Sequence, residues 1–196
     1  MSIKFQQMLP TELQQYSRTF PPQIVLTEIE QIVFNALPRA RMIYCCGGWV
    51  RDKLIQVESD DLDMVVLAFE GGYPLFAAEF KNNLKAILKS LRIEHKAAGV
   101  RKTLNMKKDS HNHMEFGAAK GTDLLQMEFE MVTYTENRKF TEFLKVDFKF
   151  LENRAMENIS TALEHDLKTR DFKVNSLYFD PNSGYIIFHT IDVGFV

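Results

Sequence analysis

A pair of adjacent glycines, Gly47 and Gly48, constrains the fold of this chain more than any other feature of the sequence. The glycines stop an apolar run, Met42 to Cys46. Trp49 to Ile55 then has the character of a helix, and the β-branched run Leu62 to Phe69 has that of a buried strand. The predicted order is therefore strand, glycine turn, helix and strand.

The two glycines also form a candidate phosphate-binding turn. Backbone N–H groups in a glycine turn can approach a phosphate closely, and the start of a helix adds partial positive charge. Arg51 and Asp52 lie within the predicted helix beside the turn, and this position favours a nucleotide role for them. Glycine pairs most often form only a tight turn, and both charged residues also suit a solvated face, so this element alone leaves the two interpretations open.

Asp61 and Asp63 stand two residues apart where the second strand begins. This spacing puts both carboxylates on one face of the strand, where their repulsion is costly unless a cation relieves it. Carboxylate oxygens suit Mg²⁺ bound jointly with substrate phosphates. The alternative is a solvated strand entry in which Ser59, Asp60 and Asp61 make turn hydrogen bonds.

The combination of turn, helix and same-face carboxylates favours a site for a metal-bound nucleoside triphosphate. Two metal ions about 4 Å apart can activate a 3′-hydroxyl and stabilise a pyrophosphate leaving group. A third carboxylate on a neighbouring strand would complete the set of ligands. The segment Leu124 to Tyr134 alternates apolar and polar residues, and Glu128 and Glu130 on its polar face are the candidates.

A second polar cluster lies near the end of the chain. Arg170 and Asp171 are adjacent, and Asn175 follows Asp171 by four residues. In a helix, Asp171 and Asn175 share one face, where they could hydrogen-bond a ribose and phosphates. Helix capping and surface charge are the usual explanation for such residue types.

The remaining patterns predict one domain with a mixed sheet. Thr27 to Leu37 and Tyr73 to Leu91 have helical spacing, whereas the polar stretch Ala97 to Asp123 suggests hairpin strands joined by loops. Asn137 to Asn158 shows no clear pattern, and Asp171 to Tyr178 is predicted to be a short helix. Strands and helices alternate without a strict βαβ rhythm, which favours a mixed sheet over a doubly wound parallel one.

Composition limits the partners and the cellular location. The formal net charge of -2 over 196 residues argues against a uniformly basic nucleic-acid surface. The two adjacent cysteines, Cys45 and Cys46, favour a reducing, intracellular compartment, the cytoplasm or nucleus, with the mitochondrion as an alternative. No apolar run approaches the roughly 18 residues that span a bilayer, so no membrane partner is expected.

Two motifs carry a family resemblance. Gly47-Gly48-Trp49-Val50-Arg51-Asp52-Lys53-Leu54, followed by Ser59-Asp60-Asp61-Leu62-Asp63, resembles the head-domain signature of class II tRNA nucleotidyltransferases and related bacterial poly(A) polymerases. Its Trp and Lys-Leu look most like eukaryotic CCA-adding enzymes. The segment Glu164 to Tyr178 is similar to the Arg-Arg-Asp-Phe-Thr-x-Asn-Ala/Ser-Leu motif of the same family, with Thr169 in place of the first arginine.

The resemblance implies an α+β fold, a polymerase-beta-like nucleotidyltransferase head whose mixed, mainly antiparallel sheet is flanked by helices. It implies template-independent addition of CCA to the 3′ end of tRNA from CTP and ATP with two Mg²⁺ ions. Asp61 and Asp63 would be the catalytic metal ligands. With Asp52, which is included because of its position beside the turn, the expected nucleotide-binding residues are Gly47, Gly48, Arg51, Asp52, Arg170, Asp171 and Asn175.

The expected domain organisation is an N-terminal packing helix in residues 1–40 and a catalytic head in residues 41–196. The family's helical neck, body and tail would follow Val196, so we expect a fragment of a longer enzyme or a head that uses a second subunit for those functions. A catalytically silent head that serves as a protein or RNA interaction module is an alternative from a different class. A poly(A)-type polymerase head that acts on other RNA is a third.

Overall fold

The computed structural model describes residues 24–38, 42–67, 72–97, 101–114, 122–135, 138–151, 163, 166 and 177–188. These residues form three helices and seven strands, numbered here in chain order. The helices are α1 (Glu28–Ala36), α2 (Gly48–Leu54) and α3 (Gly72–Ala97). The strands are β1 (Met42–Cys46), β2 (Asp61–Leu67), β3 (Arg101–Met114), β4 (Thr122–Tyr134), β5 (Lys139–Phe150), β6 (Leu177–Asp180) and β7 (Tyr185–Phe188).

All seven strands belong to one sheet, in the order β3-β4-β5-β2-β1-β6-β7. The β2–β5 pair is parallel and the other five pairs are antiparallel. Parallel pairing requires a long crossover, and the connection from β2 to β5 runs through α3 and the β3–β4 hairpin. The predicted α+β fold with a mixed, mainly antiparallel sheet is confirmed.

The helices and the larger core lie on one face of the sheet. Alternate residues of β2, including Leu62, Met64 and Val66, join this core together with side chains of all three helices. The opposite face carries a smaller cluster that includes Val65 and Leu67. Because side chains alternate along a strand, Asp61 and Asp63 lie on the same face as this smaller cluster.

Helix α1 follows directly from its local sequence. Thr27 caps the helix, its hydroxyl accepting from the Glu30 backbone N–H, while the Glu30 carboxylate accepts from the Thr27 N–H. Ile32 and Val33 are buried against the sheet. The helix ends at Ala36, two residues before Pro38, as the sequence predicts.

Helix α3 is longer than its apolar pattern indicates, with 26 residues. Phe76 and Phe80 are fully buried and both pack edge-on against Phe148 of β5. No helix in the described part of the chain is long and apolar enough to cross a membrane.

Three strands differ from the sequence-based expectations. The stretch predicted as hairpin strands and loops contains one long strand, β3, which pairs with β4. β5 occupies a region that showed no clear pattern. The predicted helix Asp171 to Tyr178 is wrong at its end, because Leu177 and Tyr178 belong to β6, where Tyr178 pairs with Cys46; its beginning lies outside the described residues.

Candidate metal and nucleotide site

The glycine turn joins β1 to α2. Gly47 has φ 74° and ψ −147°, a conformation that is essentially restricted to glycine. Gly48 is already helical, and a Cβ there would lie 3.3 Å from Arg51 Nη2. The turn therefore needs a glycine at position 47, whereas at position 48 the neighbouring group is the end of a flexible side chain.

Arg51 and Asp52 pair with each other beside this turn. Arg51 Nη2 lies 2.7 Å from Asp52 Oδ1, and Arg51 Nε donates to the same oxygen at 2.8 Å. The two side chains are 40% and 18% exposed. Both charged groups thus stand at the surface near the start of α2.

A buried polar cluster fixes α2 against α1. Glu30 Oε1 accepts a 2.7 Å hydrogen bond from Trp49 Nε1, and Glu30 Oε2 lies 2.7 Å from Lys53 Nζ. Lys53 also donates to the Val25 carbonyl oxygen at 3.2 Å. These contacts hold both ends of the short helix, and so the glycine turn, in one place relative to the sheet.

Three carboxylates gather on the face opposite the large core. Asp61, Asp63 and Asp147 each place one oxygen within 4.8 Å of the others. Parallel pairing of β2 with β5 produces this cluster, since Asp63 is the register partner of Asp147 and Asp61 that of Lys145. The two aspartates predicted from the sequence are thus joined by a third from an adjacent strand.

Asp147 has one satisfied and one unsatisfied oxygen. Oδ2 accepts from Lys145 Nζ and from Gln126 Nε2, both at 3.0 Å. Oδ1 is buried and has no hydrogen-bond partner among the described residues. A buried carboxylate oxygen without a partner is costly, and a divalent cation would satisfy it. The donor set, three carboxylates with oxygens within 4.8 Å of one another, therefore fits Mg²⁺.

Glu128 and Glu130 lie on the same face of the sheet but one strand farther from β2. Glu128 is opposite Lys145 in the β4–β5 register. Glu130 makes an ion pair with Lys107 at 2.9 Å and accepts from Asn105 at 3.3 Å. Hydrogen bonds from Lys107 and then Asn105 lower the pKa of Glu130. Neither glutamate joins the cluster of three carboxylates; the position next to Asp63 belongs to Asp147.

Lys145 is the cation inside the carboxylate cluster. Its Nζ lies 3.0 Å from Asp147 Oδ2 and 3.3 Å from Asp61 Oδ1. Burial lowers the pKa of Lys145, but the hydrogen bond to Asp147 and the attraction of Asp147 and Asp61 outweigh burial, so the pKa is raised. The ammonium therefore stays charged and offsets part of the negative charge.

A second buried carboxylate belongs to the segment of the later motif. Asp166 is fully buried, and its Oδ2 accepts from the Tyr178 hydroxyl at 2.8 Å. Its Oδ1 lies 2.7 Å from Lys149 Nζ. These contacts connect the motif to β5 and β6. The nucleotide-binding candidates Arg170, Asp171 and Asn175 lie outside the described residues.

Asp147 and Lys145 are the site residues that the sequence reasoning missed. A signal was present, because Leu144, Val146 and Phe148 are buried and alternate with polar residues, as in a half-buried strand. Asp147 occupies the polar face of that pattern. What no local pattern reveals is that this strand, rather than β4, lies next to β2.

The fold with its glycine turn and its carboxylates on adjacent parallel strands is that of a nucleotidyltransferase head. The chain belongs to the poly A polymerase head domain family, whose model matches residues 43–192. The resemblance of the two sequence motifs to this head domain is thereby confirmed.

Several characterised proteins are similar to the chain. It is 29% identical to nucleotidyltransferase lcsQ of Purpureocillium lilacinum over 144 residues, covering 71% of this chain and 21% of that protein. It is 26% identical to tRNA nucleotidyltransferase cca2 of Schizosaccharomyces pombe over 175 residues, covering 81% and 32%. The mitochondrial CCA tRNA nucleotidyltransferase of Saccharomyces cerevisiae is 26% identical over 184 residues, covering 84% and 30%.

Among solved structures, a CCA-adding enzyme with CTP matches with a TM-score of 0.45 at 18% identity, over 85% of this chain and 31% of that chain. A tRNA nucleotidyltransferase with a primer tRNA and an incoming ATP analogue matches with a TM-score of 0.36 at 25% identity, over 77% and 32%. The chain thus spans a third or less of the length of these relatives.

Proposed function

We propose that this chain is the head of a template-independent RNA nucleotidyltransferase that adds C and A residues to the 3′ end of tRNA from CTP and ATP. Membership of the head-domain family and the names of two relatives, a tRNA nucleotidyltransferase and a CCA tRNA nucleotidyltransferase, support the reaction class. The observation that carries the proposal is Asp147 Oδ1, which is buried inside a cluster of three carboxylates and has no hydrogen-bond partner in the described part of the chain. A phosphoryl-transfer site needs such a cluster to hold its metal.

In this proposal Asp61, Asp63 and Asp147 hold Mg²⁺, which would supply activation of the attacking hydroxyl and charge stabilisation at the leaving pyrophosphate. The chain's own residues position these ligands: Gln126 orients Asp147 by a hydrogen bond to its Oδ2. Oriented carboxylates reduce the reorganisation that metal binding requires.

The glycine turn would bind the triphosphate. Gly47 and Gly48 allow close backbone approach, and Arg51 and Asp52 stand beside them at the surface. The second motif, with Arg170, Asp171 and Asn175, would bind the ribose and base of the incoming nucleotide. The neck, body and tail functions would come from further sequence or a second subunit. We place the protein inside the cell, in the cytoplasm, nucleus or mitochondrion.

Incorporation of radiolabelled CMP and AMP into tRNA lacking its CCA end tests the proposal on the full protein. Asp61→Asn and Asp63→Asn should each abolish incorporation. Asp60→Asn is the matched control, because Asp60 is an exposed neighbour outside the cluster, and this variant should retain activity. Incorporation that survives in Asp63→Asn would refute metal catalysis at this site. AMP addition to other RNA with no CMP addition would instead identify a poly(A)-type polymerase.

One observation favours a second candidate, a catalytically silent head that acts as an interaction module. Lys145 occupies the carboxylate cluster with its own ammonium, as a structural ion-pair network would. A silent head predicts no metal-dependent binding of nucleotide. Calorimetry with Mg·ATP and Mg·CTP decides between the two: micromolar binding that Asp63→Asn removes would exclude the silent head.

A further inference from the structure

We propose that Lys145 is an exchangeable cation of the carboxylate cluster, whose ammonium must leave Asp61 and Asp147 before these carboxylates can bind a divalent ion. This inference rests on the proposed function, since it concerns the same site. Lys145 Nζ lies 3.3 Å from Asp61 Oδ1 and 3.0 Å from Asp147 Oδ2. Those carboxylates are two of the three that the metal would use. An ammonium and a metal ion therefore compete for the same negative charge.

The need for a resident cation follows from the charges. Three carboxylates within 4.8 Å of one another repel strongly in a partly buried place. Lys145 offsets one of the three negative charges. It also links the Asp61 side chain of β2 to the Asp147 side chain of β5, which pairs with β2 in parallel. The cluster thus retains net negative charge with Lys145 in place, which is the condition for attracting a divalent ion that can replace it.

The side chain of Lys145 is built to move while its backbone is fixed. Its backbone N–H donates to the Asp60 carbonyl oxygen at 2.7 Å, within the parallel pairing of the strands. Its side chain is 38% exposed and carries the ammonium on a flexible four-carbon stem. By contrast, Lys53, which pairs with Glu30, is only 5% exposed. Lys145 can leave its partners toward water; Lys53 cannot.

Departure of Lys145 leaves little unsatisfied. Asp147 Oδ2 keeps its hydrogen bond from Gln126 Nε2 at 3.0 Å, and Asp61 is 55% exposed, so water can reach it. Asp147 Oδ1 has no partner among the described residues even with Lys145 in place. A metal ion would gain three carboxylates, whereas Lys145 uses two. The exchange therefore costs the protein few contacts. Because the metal must still displace the ammonium, the affinity for free metal is lower than it would be without Lys145.

The consequence is a site that binds bare divalent ions weakly. A metal that arrives with a triphosphate has additional ligands from the phosphates and displaces Lys145 more easily. The released ammonium stays tethered to the same face of β5, where it can contact a phosphate of the bound nucleotide. Lys145 thereby couples metal binding to nucleotide binding.

Binding of Mn²⁺ to the full protein tests this inference, with free Mn²⁺ measured by electron paramagnetic resonance in the absence of nucleotide. Lys145→Met should bind Mn²⁺ more tightly than the native protein, on the order of tenfold, because the competing charge is gone. Lys107→Met is the matched control. Lys107 also pairs with a carboxylate, that of Glu130, and its loss changes the net charge equally but leaves the cluster intact. It should not change Mn²⁺ affinity.

A second substitution guards against a folding defect. Lys145→Gln removes the charge but keeps a hydrogen-bond donor, and it should also tighten Mn²⁺ binding. Unchanged or weaker binding in both Lys145 variants would overturn the inference, as would equal tightening in Lys107→Met, since that would be a bulk charge effect. The proposed function would still be supported in that case if the native protein incorporates nucleotides and Asp63→Asn loses Mn²⁺ binding. Absence of Mn²⁺ binding in the native protein and in both Lys145 variants, with and without nucleotide, would refute both proposals.

Discussion

The carboxylate of Glu30 and the ammonium of Lys53 form a 2.7 Å ion pair whose side chains are 0% and 5% exposed. This pair joins the first helix to the helix that follows the glycine turn. The indole of Trp49, one turn before Lys53, donates to the other oxygen of Glu30 at 2.7 Å. The position of the proposed phosphate-binding turn thus depends on the buried carboxylate of Glu30, which lies outside the family motif.

Lys53→Met should destabilise the protein by about 3–5 kcal/mol, because it leaves the buried Glu30 charge without its cation. Urea unfolding followed by circular dichroism measures the change. Lys102→Met is the control: Lys102 pairs with Glu28 at a more exposed position, where a pair contributes at most about 1 kcal/mol. Equal losses of unfolding free energy in the two variants would show that burial does not strengthen the Glu30–Lys53 ion pair.

The two glycines of the turn should respond differently to alanine. Gly47→Ala forces an L side chain into φ 74° and ψ −147° and should cost about 1–3 kcal/mol of unfolding free energy. Gly48→Ala places a Cβ 3.3 Å from the mobile end of Arg51, in a helical conformation, and should cost less. Thermal unfolding of both variants checks the order, and a larger loss in Gly48→Ala would show that the turn is not set by φ.

The local elements of the fold could be predicted from the sequence because their signals are local. Thr27 and Glu30 mark the start of α1, and Pro38 stands two residues past its end. Strand β4 alternates from Leu124 to Met131, with Leu125 and Met127 buried and the intervening Gln126 partly exposed. Each of these patterns is contained within a single element.

The third carboxylate of the site could not be placed for the opposite reason. Asp61 and Asp63 share one strand, so their spacing alone puts them on one face. Lys145 contacts Asp61 across 84 residues of sequence, and only the sheet order brings β5 beside β2. The first half of β5, from Lys139 to Phe143, is exposed and lacks alternation, which hid the strand.

Asp147→Asn should lower nucleotide incorporation by at least about a hundredfold, since it removes a proposed metal ligand. Glu128→Gln should retain most of the activity, because Glu128 lies on β4 outside the cluster of three carboxylates. Steady-state incorporation of CMP into tRNA by the full protein measures both. A severe loss of incorporation in Glu128→Gln, with Asp147→Asn still active, would show that the third metal ligand is on β4 and not on β5.

Tyr178→Phe should cost about 1–3 kcal/mol of stability, because it removes the hydroxyl that donates to the fully buried Asp166. Asp166 Oδ1 also forms an ion pair with Lys149. Tyr185→Phe, on the neighbouring strand and only half-buried, is the control and should change stability by less. Denaturant unfolding of the two variants makes the comparison; equal midpoints would mean that the Tyr178 hydroxyl contributes nothing to holding Asp166.

Stability should fall at alkaline pH through Cys45. Burial of this thiol, followed by repulsion from Cys46 and Asp180, raises its pKa well above the ordinary value of 9.0. The folded state therefore keeps the thiol protonated while the unfolded state ionises, so the stabilisation is complete below about pH 9 and is lost as the pH rises toward the folded-state pKa. One such group accounts for a slope of at most about 1.4 kcal/mol per pH unit. Urea unfolding under reducing conditions between pH 7.5 and 10.5 should show a shallower decline in Cys45→Ala than in the native protein, and parallel declines would assign the pH dependence to other groups.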